Sequence, residues 1–548
     1  MQRLPTEGYD AGRTGARGPG FARSEDGSLI IFGLMIFLMM LMAAGIGVDL
    51  MRFEAHRTAL QETLDRAILA AASLDQPLDP ETVVLDYFER ANLGDYISAD
   101  KITVEETASS RRVSAEVSMP VTATFMKFVG IDALSAPAAG AAEEATANTE
   151  ISLVLDVSGS MGWYSSGRSK ISILKDAATQ FVNITTCNPA DPDATTGCTV
   201  DPGTVSISIV PYSEQVLVGE DLLSHFNVTS EHTSSSCVTF DDADFETTAI
   251  APETPLKRTG HFDPWSWSAT PYYFTCANES WREILPIEGD GDVLRAKIAA
   301  LSAEGNTSID VGMKWGAALL DPAAQPAVTD VVDSDFADRP LSWETRGVEK
   351  VLVLMTDGEN TDQHYLYDNA RSGPSPVWRT NARVGGDYVY SIYRESTGQY
   401  YWTSTGSWED HPYGTGTYES CGWQRHGRSW NWVCSTVNEG GNGASQLSFP
   451  DLWAERTWAW WEQFWWLDAE GSYFDTSTKN ARLESMCDAA KAEGITIYTI
   501  GFETSSSAET VLRNCASGEG RYFNVDGLDL TDAFASIARD ISKLRLVN

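Results

Sequence analysis

Residues 29–48, LIIFGLMIFLMMLMAAGIGV, form a run of 20 residues without a charge, and that length matches the hydrocarbon core of a bilayer when the run is helical. The run therefore predicts a transmembrane helix that divides the chain into a tail (1–28), a span and a long remainder. A cleaved secretory signal is the alternative, but such signals have a shorter apolar region and a small-residue cleavage site. Here the full-length run continues without a break into a helical pattern. Arg3, Arg13, Arg17 and Arg23 lie ahead of it in a Gly-rich tail that reads as flexible, and the far side opens with Asp49, Arg52 and Glu54. The positive-inside bias puts the N-terminus in the cytoplasm and exports the rest, with Arg52 and Arg57 weakening the contrast.

All eight cysteines lie beyond residue 186. An even count confined to the exported side points to disulfides in an oxidising compartment. The simplest pairing joins neighbours along the chain, 187 with 198, 237 with 276, 421 with 434 and 487 with 515, although order alone does not fix connectivity. Cys-x-x-Cys spacing, the mark of a zinc or redox site, is missing. A formal charge of -38 over 548 residues repels phosphate backbones and argues against nucleic acid as a partner.

Beyond the span, Leu50, Phe53, Leu60, Leu64, Ala67, Ile68, Ala71 and Leu74 recur at helical spacing up to Pro77 and Pro80. A short helix near 81–91 and two strand-like runs, KITVEET at 101–107 and RRVSAEVSM at 111–119, complete a small α+β unit over 49–135. Residues 136–149, rich in Ala with few large apolar side chains, read as a linker.

From 150 to 548 apolar strands alternate with amphipathic helices, which predicts an α/β fold, a doubly wound and mostly parallel sheet. Its strands are expected at 151–157, 205–213, 348–357, 495–502 and 522–525, interrupted by insertions at about 214–290 and 359–478. The second insertion is rich in tryptophan, including WAWWEQFWW at 458–466. Its rings can form the core of a disulfide-stapled subdomain, or a binding surface that stacks on sugars or partner proteins. Residues 388–405 read as hairpin material and 450–467 as a helix with an apolar girdle.

Asp156 ends the first strand in DVSGSMG, followed by Ser158 and Ser160, on the sheet edge where open α/β folds bind ligands. One carboxylate and two hydroxyls on a tight turn suit a hard cation such as Mg²⁺, which demands oxygen ligands and keeps several waters. Thr307 in GNTSIDVG and Asp357 in MTDGE offer a further hydroxyl and carboxylate; Ser308 is the alternative hydroxyl. The segment SGSMG lacks the first Gly of a nucleophile elbow and no histidine lies in the nearby motifs, which argues against an enzyme. No phosphate-binding loop or dinucleotide fingerprint is present.

The Asp-x-Ser-x-Ser, later Thr and later Thr-Asp-Gly resemble the metal-ion-dependent adhesion site of von Willebrand factor A domains. That resemblance implies direct ligation by Ser158, Ser160 and Thr307, with Asp156 and Asp357 acting directly or through water. Together with the start EDGSLIIFGLMIFLMMLMAAGIGVDLMRFEAHRTALQETLDRAILAAA and the later TFMKFVGIDAL, the motif resembles the TadG family of Tad (Flp) pilus-assembly proteins. The resemblance implies a single-pass inner-membrane protein with its bulk periplasmic or on a pilus. Its cofactor would be a divalent cation, Mg²⁺ first with Ca²⁺ or Mn²⁺ as alternatives. Its partner would be a protein supplying an acidic ligand, among other pilus-assembly or minor-pilin-like proteins.

Overall fold

A computed structural model describes residues 26–73, 76–106, 110–145, 148–345 and 347–547. The arginines of the tail and Leu74 lie outside the described residues. Two compact units divide the chain between residues 145 and 146.

The first unit is led by helix α1 (Asp26–Ala72), which is long and apolar enough to cross a membrane. Pro77 and Pro80 follow it, and α2 (Pro80–Arg90) is capped by Asp79, whose carboxylate accepts from Thr82 N. Three antiparallel strands, β1 (Ile102–Glu106), β2 (Ser110–Thr122) and β3 (Ala133–Ala145), make the sheet. Leu60, Leu64, Ala67, Ile68 and Ala71 of α1 are buried with Val113, Val117 and Ala136, while Leu50 nearer the span is exposed.

The linker expected at 136–149 is corrected here. Residues 136–145 belong to β3, paired with β2 from Thr122↔Ala133 to Ser110↔Ala145, and 148 already opens the next strand. Small residues serve this strand because α1 lies close on it: a Cβ at Gly140 would come within 2.8 Å of Ile68 Cδ1. Pro137 is tolerated because β3 is an edge strand.

The second unit is built on a mixed six-stranded sheet of β4 (Asn148–Asp156), β5 (Val205–Tyr212), β6 (Leu285–Glu288), β7 (Val348–Thr356), β8 (Thr496–Phe502) and β9 (Tyr522–Val525). Their order is β6-β5-β4-β7-β8-β9, with every neighbouring pair parallel except β6–β5. Alternate residues feed two cores. Ile151, Leu153 and Leu155 face one, with helices α3 (Lys170–Thr186), α4 (Gly291–Ala300) and α8 (Asp529–Val547). Val154, Leu352 and Leu354 face the other, with α5 (Ile309–Ala318), α6 (Thr476–Ala492) and α7 (Ser506–Cys515). Cover on both faces is why β4 is apolar through its centre rather than alternating.

The insertions differ from expectation at two points. The first ends earlier than 290, because 285–288 return to the sheet as β6, and its Val216, Phe240 and Phe245 join the main core. The helix expected at 450–467 is two short helices, Phe449–Glu455 and Trp458–Trp461. The chain restarts at Thr457, whose hydroxyl accepts from Trp460 N. Strands 390–394 and 399–402 form the hairpin expected at 388–405, within a five-stranded sheet. The disulfides pair as expected: Cys187–Cys198, Cys237–Cys276, Cys421–Cys434 and Cys487–Cys515.

Candidate metal centre

The C-terminal ends of β4 and β7 are neighbours in parallel register, Leu155 beside Met355, which brings Asp156 next to Thr356 and Asp357 onto one sheet edge. Asp156 is fully buried; its Oδ1 accepts from Ser158 N at 2.8 Å and its Oδ2 from Thr356 Oγ1 at 2.7 Å. Ser158 Oγ and Ser160 Oγ lie 3.1 Å apart, and Ser160 Oγ donates to Asp357 Oδ1 at 2.6 Å. Four of the five expected residues thus form one continuous polar chain. The loop that carries Thr307 approaches the same turn at Gly305, whose carbonyl accepts from Gly159 N at 2.8 Å, while no bond between Thr307 and the other four is described.

That loop is fixed from behind. Thr307 N donates to Thr361 Oγ1 at 2.9 Å, and Ile309 N donates to Asn360 Oδ1 at 2.8 Å. The fully buried ammonium of Lys479 donates to Thr307 O at 2.9 Å, Thr361 O at 2.7 Å and Ser308 Oγ at 2.6 Å. Ser308 Oγ therefore serves Lys479, whereas no bond engages the Thr307 hydroxyl among the described contacts.

Burial, and then the charge of Asp357, push the Asp156 carboxyl well above the usual carboxylate range, against the bonds from Ser158 and Thr356. Two acidic groups crowded in a desolvated place favour a cation between them. The donors are all hard oxygens, the chemistry that Mg²⁺ and its relatives take. One positive group is already present: Lys170 Nζ stands 3.1 Å from Asp357 Oδ2 and 3.4 Å from Glu503 Oε2.

Sequence reasoning missed Lys170, Glu503 and Thr356. A lysine at the first residue of a helix, where the dipole disfavours a cation, was the available signal for Lys170. Among the described residues one group of His, Cys and carboxylate side chains, Glu419, Cys421 and Cys434, is close enough to share an ion, and its sulfurs are already joined as a disulfide.

The aromatic insertion divides its rings. Phe449, Trp453, Trp460, Trp461 and Phe464 are core, whereas Trp423, Trp430, Trp432 and Trp465 are more than half exposed. A cavity of about 780 Å³ opens between the two insertions, lined by Trp265, Trp267, Trp458, Trp465, Glu462 and Asp468 among others.

Residues 27–74 match the family model described as putative Flp pilus-assembly TadE/G-like. A comparison with curated proteins gives no match. Among solved structures, the chain is similar to the pilus adhesin SpaC from Lactobacillus rhamnosus GG at 14% identity and TM-score 0.32, covering 80% of this chain and 34% of that one. It is similar to the vWF domain of the type V pili tip protein Mfa5 from Porphyromonas gingivalis at 15% identity and TM-score 0.31, covering 73% and 97%. It is also similar to the PilB minor pilin from Streptococcus sanguinis at 13% identity and TM-score 0.28, covering 82% and 78%. The chain thus spans about a third of the length of SpaC.

Proposed function

We propose that this chain is a membrane-anchored, non-enzymatic component of Tad-type pilus assembly or adhesion, with its cytoplasmic tail at the N-terminus and its second unit exported. In this reading the second unit has a doubly wound von Willebrand A type fold. A divalent cation, Mg²⁺ first, is held by Asp156, Ser158, Ser160, Thr307 and Asp357, and captures an acidic side chain of a partner protein. The observation that carries the reading is the polar chain from Asp156 through Ser158 and Ser160 to Asp357 on one sheet edge. With two carboxylates as its anionic ligands, the ion keeps net positive charge, and a partner carboxylate replacing water gains a charge-assisted bond. The Ser160 hydroxyl is directed to a carboxylate rather than to an imidazole base, which favours binding over acyl transfer.

The test is Mg²⁺-dependent capture of purified Flp-type pilins by the full chain in detergent, with chelator as control. Asp156→Asn should abolish the Mg²⁺-dependent part of both capture and thermal stabilisation. If the wild-type chain gains neither from Mg²⁺, the metal reading fails.

The cavity between the insertions favours a second reading, attachment to neutral glycans. Exposed tryptophan faces stack on the apolar faces of sugars, and Glu462 and Asp468 can accept from hydroxyls. Without Lys or Arg in its lining, the cavity does not suit an anionic ligand. Glycan-array binding that survives Trp267→Ala combined with Trp465→Ala would sink it.

A further inference from the structure

The segment that follows β2 turns back onto the helix at the end of the apolar run. Asp49, 3% exposed, is the first charged residue after that run. Its carboxylate accepts from three consecutive backbone N–H groups: Thr124 at 3.0 Å, Phe125 at 2.6 Å and Met126 at 2.7 Å. Arg52 adds a bond to Thr124 Oγ1 at 2.9 Å. The Phe125 ring reaches back past Asp49 to Gly45, where an added Cβ would lie 2.5 Å from it. Gly45 stands three residues before Val48, the last residue of the apolar run, so at about 1.5 Å per residue the ring lies roughly 4.5 Å inside the apolar end of the span.

The rest of the turn carries apolar side chains that the described residues of the unit leave exposed. Met126–Val129 form a single 3-10 turn closed by Gly130 at φ 90°, and Ile131 N returns to Met126 O at 3.1 Å. Phe128 is 81% exposed, Val129 52% and Ile131 39%. The helix beside them is apolar and exposed as well, at Val48, Leu50 and Met51. Exposed apolar groups clustered together mark a contact surface, and here the cluster is continuous with a helix face that lipid must cover.

We infer that the turn at 125–131 is a second membrane contact, pinned to α1 by Asp49 and seated with Phe128 and Val129 in the interfacial layer where the helix leaves the bilayer. This rests on α1 crossing the membrane. The level of the Phe125 ring, inside the span, is what favours lipid over a protein partner as the occupant. Buried apolar side chains at the boundary, with Lys127 beside them, anchor a peripheral segment in this way. The contact would fix the height of the sheet of the first unit above the bilayer.

All eight cysteines are paired, so one added cysteine reports alone. The full chain is reconstituted in phosphatidylcholine–phosphatidylglycerol nanodiscs with a nitroxide at Phe128→Cys, at Glu62→Cys further along α1, or at Leu38→Cys within the span. Collision rates with oxygen and with a water-soluble nickel chelate are then measured. At position 128 the oxygen-to-chelate ratio should exceed that at 62 several-fold and lie between those of 62 and 38. A ratio at 128 equal to that at 62, or protection from both reagents, overturns the inference, the latter meaning that protein covers the turn. Chelate access at 38 would instead overturn the span. Asp49→Ala in the Phe128→Cys chain should bring the ratio toward that at 62, and an unchanged ratio overturns the role of Asp49.

Discussion

Lys170 Nζ and Asp357 Oδ2 lie 3.1 Å apart, while the other oxygen of the same carboxylate accepts from Ser160. Both side chains are buried, so the ammonium compensates a carboxylate that would otherwise be costly to desolvate. A divalent ion ligated by Asp357 must share it with this ammonium, and like charges within about 4–6 Å disfavour one another. Lys170→Met should therefore act in opposite directions on two measurements. Without metal the chain should lose about 3–5 kcal/mol of stability, the cost of breaking a buried pair. Titration calorimetry should give Mg²⁺ or Mn²⁺ affinity about tenfold higher, about 1.4 kcal/mol. Weaker metal binding would mean that Lys170 supports the site instead of competing with the ion.

The loop that carries Thr307 leads into helix α5, which lies tight on β4. A Cβ at Gly316 would come within 2.3 Å of Val154 Cγ2 and 3.2 Å of Ser152 Oγ, and one at Gly312 within 2.7 Å of the Tyr212 ring. Ala in place of Gly is worth about 1 kcal/mol in helix propensity, but overpacking a core costs about 1–3 kcal/mol. Val154 is a fully buried residue on a central strand and cannot retreat. Gly316→Ala should thus destabilise the second unit by about 1–2 kcal/mol in urea unfolding and weaken metal binding, since the helix start moves with the helix. A more stable variant would mean that β4 and α5 separate readily.

His261 stacks on Phe274 with ring centroids 3.8 Å apart. Burial, and then the neighbouring His232, hold its pKa down to about 4. Above the usual histidine value of about 6.5 both folded and unfolded chains carry it neutral. As pH falls from there, the unfolded chain takes up a proton that the folded chain refuses until about pH 4, so stability is lost across that window. His261→Phe keeps a ring on Phe274 but cannot bind the proton. The stability difference between variant and wild type should shift in favour of the variant by about 1–3 kcal/mol between pH 7 and 4. A pH-independent difference in denaturant midpoints would contradict this.

The parts of the fold legible in the sequence are those set by local pattern. DVSGS and MTDG stand at the ends of apolar runs, so Asp156 and Asp357 fall on one edge once the runs pair in parallel. Strand 133–145 was not legible. Its Ala, Gly and Pro residues have little strand preference of their own, and it forms where Ile68 requires a small residue opposite it. Lys170 and Glu503 meet across more than three hundred residues, and no spacing rule reaches that far. Ring burial in the tryptophan segment was likewise hidden, because Arg456 and Thr457 break the helix. A continuous helix would place Trp461 and Trp465, four residues apart, on one face, but the second helix ends at Trp461, and Trp461 is buried where Trp465 is exposed.

Two disulfides with similar chain-entropy effects should differ in consequence because of where they lie. Cys237 and Cys276 are buried against Leu217 and close a separation of 39 residues. Cys421 and Cys434 face one another on the exposed hairpin 417–438, with a separation of 13. Loop-closure entropy assigns about 4 kcal/mol to the first and about 3 kcal/mol to the second. The hairpin can open locally without disturbing either core, so its bond restrains a sub-global motion. Replacing both Cys421 and Cys434 with Ala should raise hydrogen exchange across 417–438 while leaving the main urea transition in place. Replacing both Cys237 and Cys276 with Ala should lower that transition by about 3–4 kcal/mol, because Val216, Phe240 and Phe245 of the same insertion belong to the main core. A main transition that falls equally for the two double variants would mean that the hairpin unfolds with the rest of the unit.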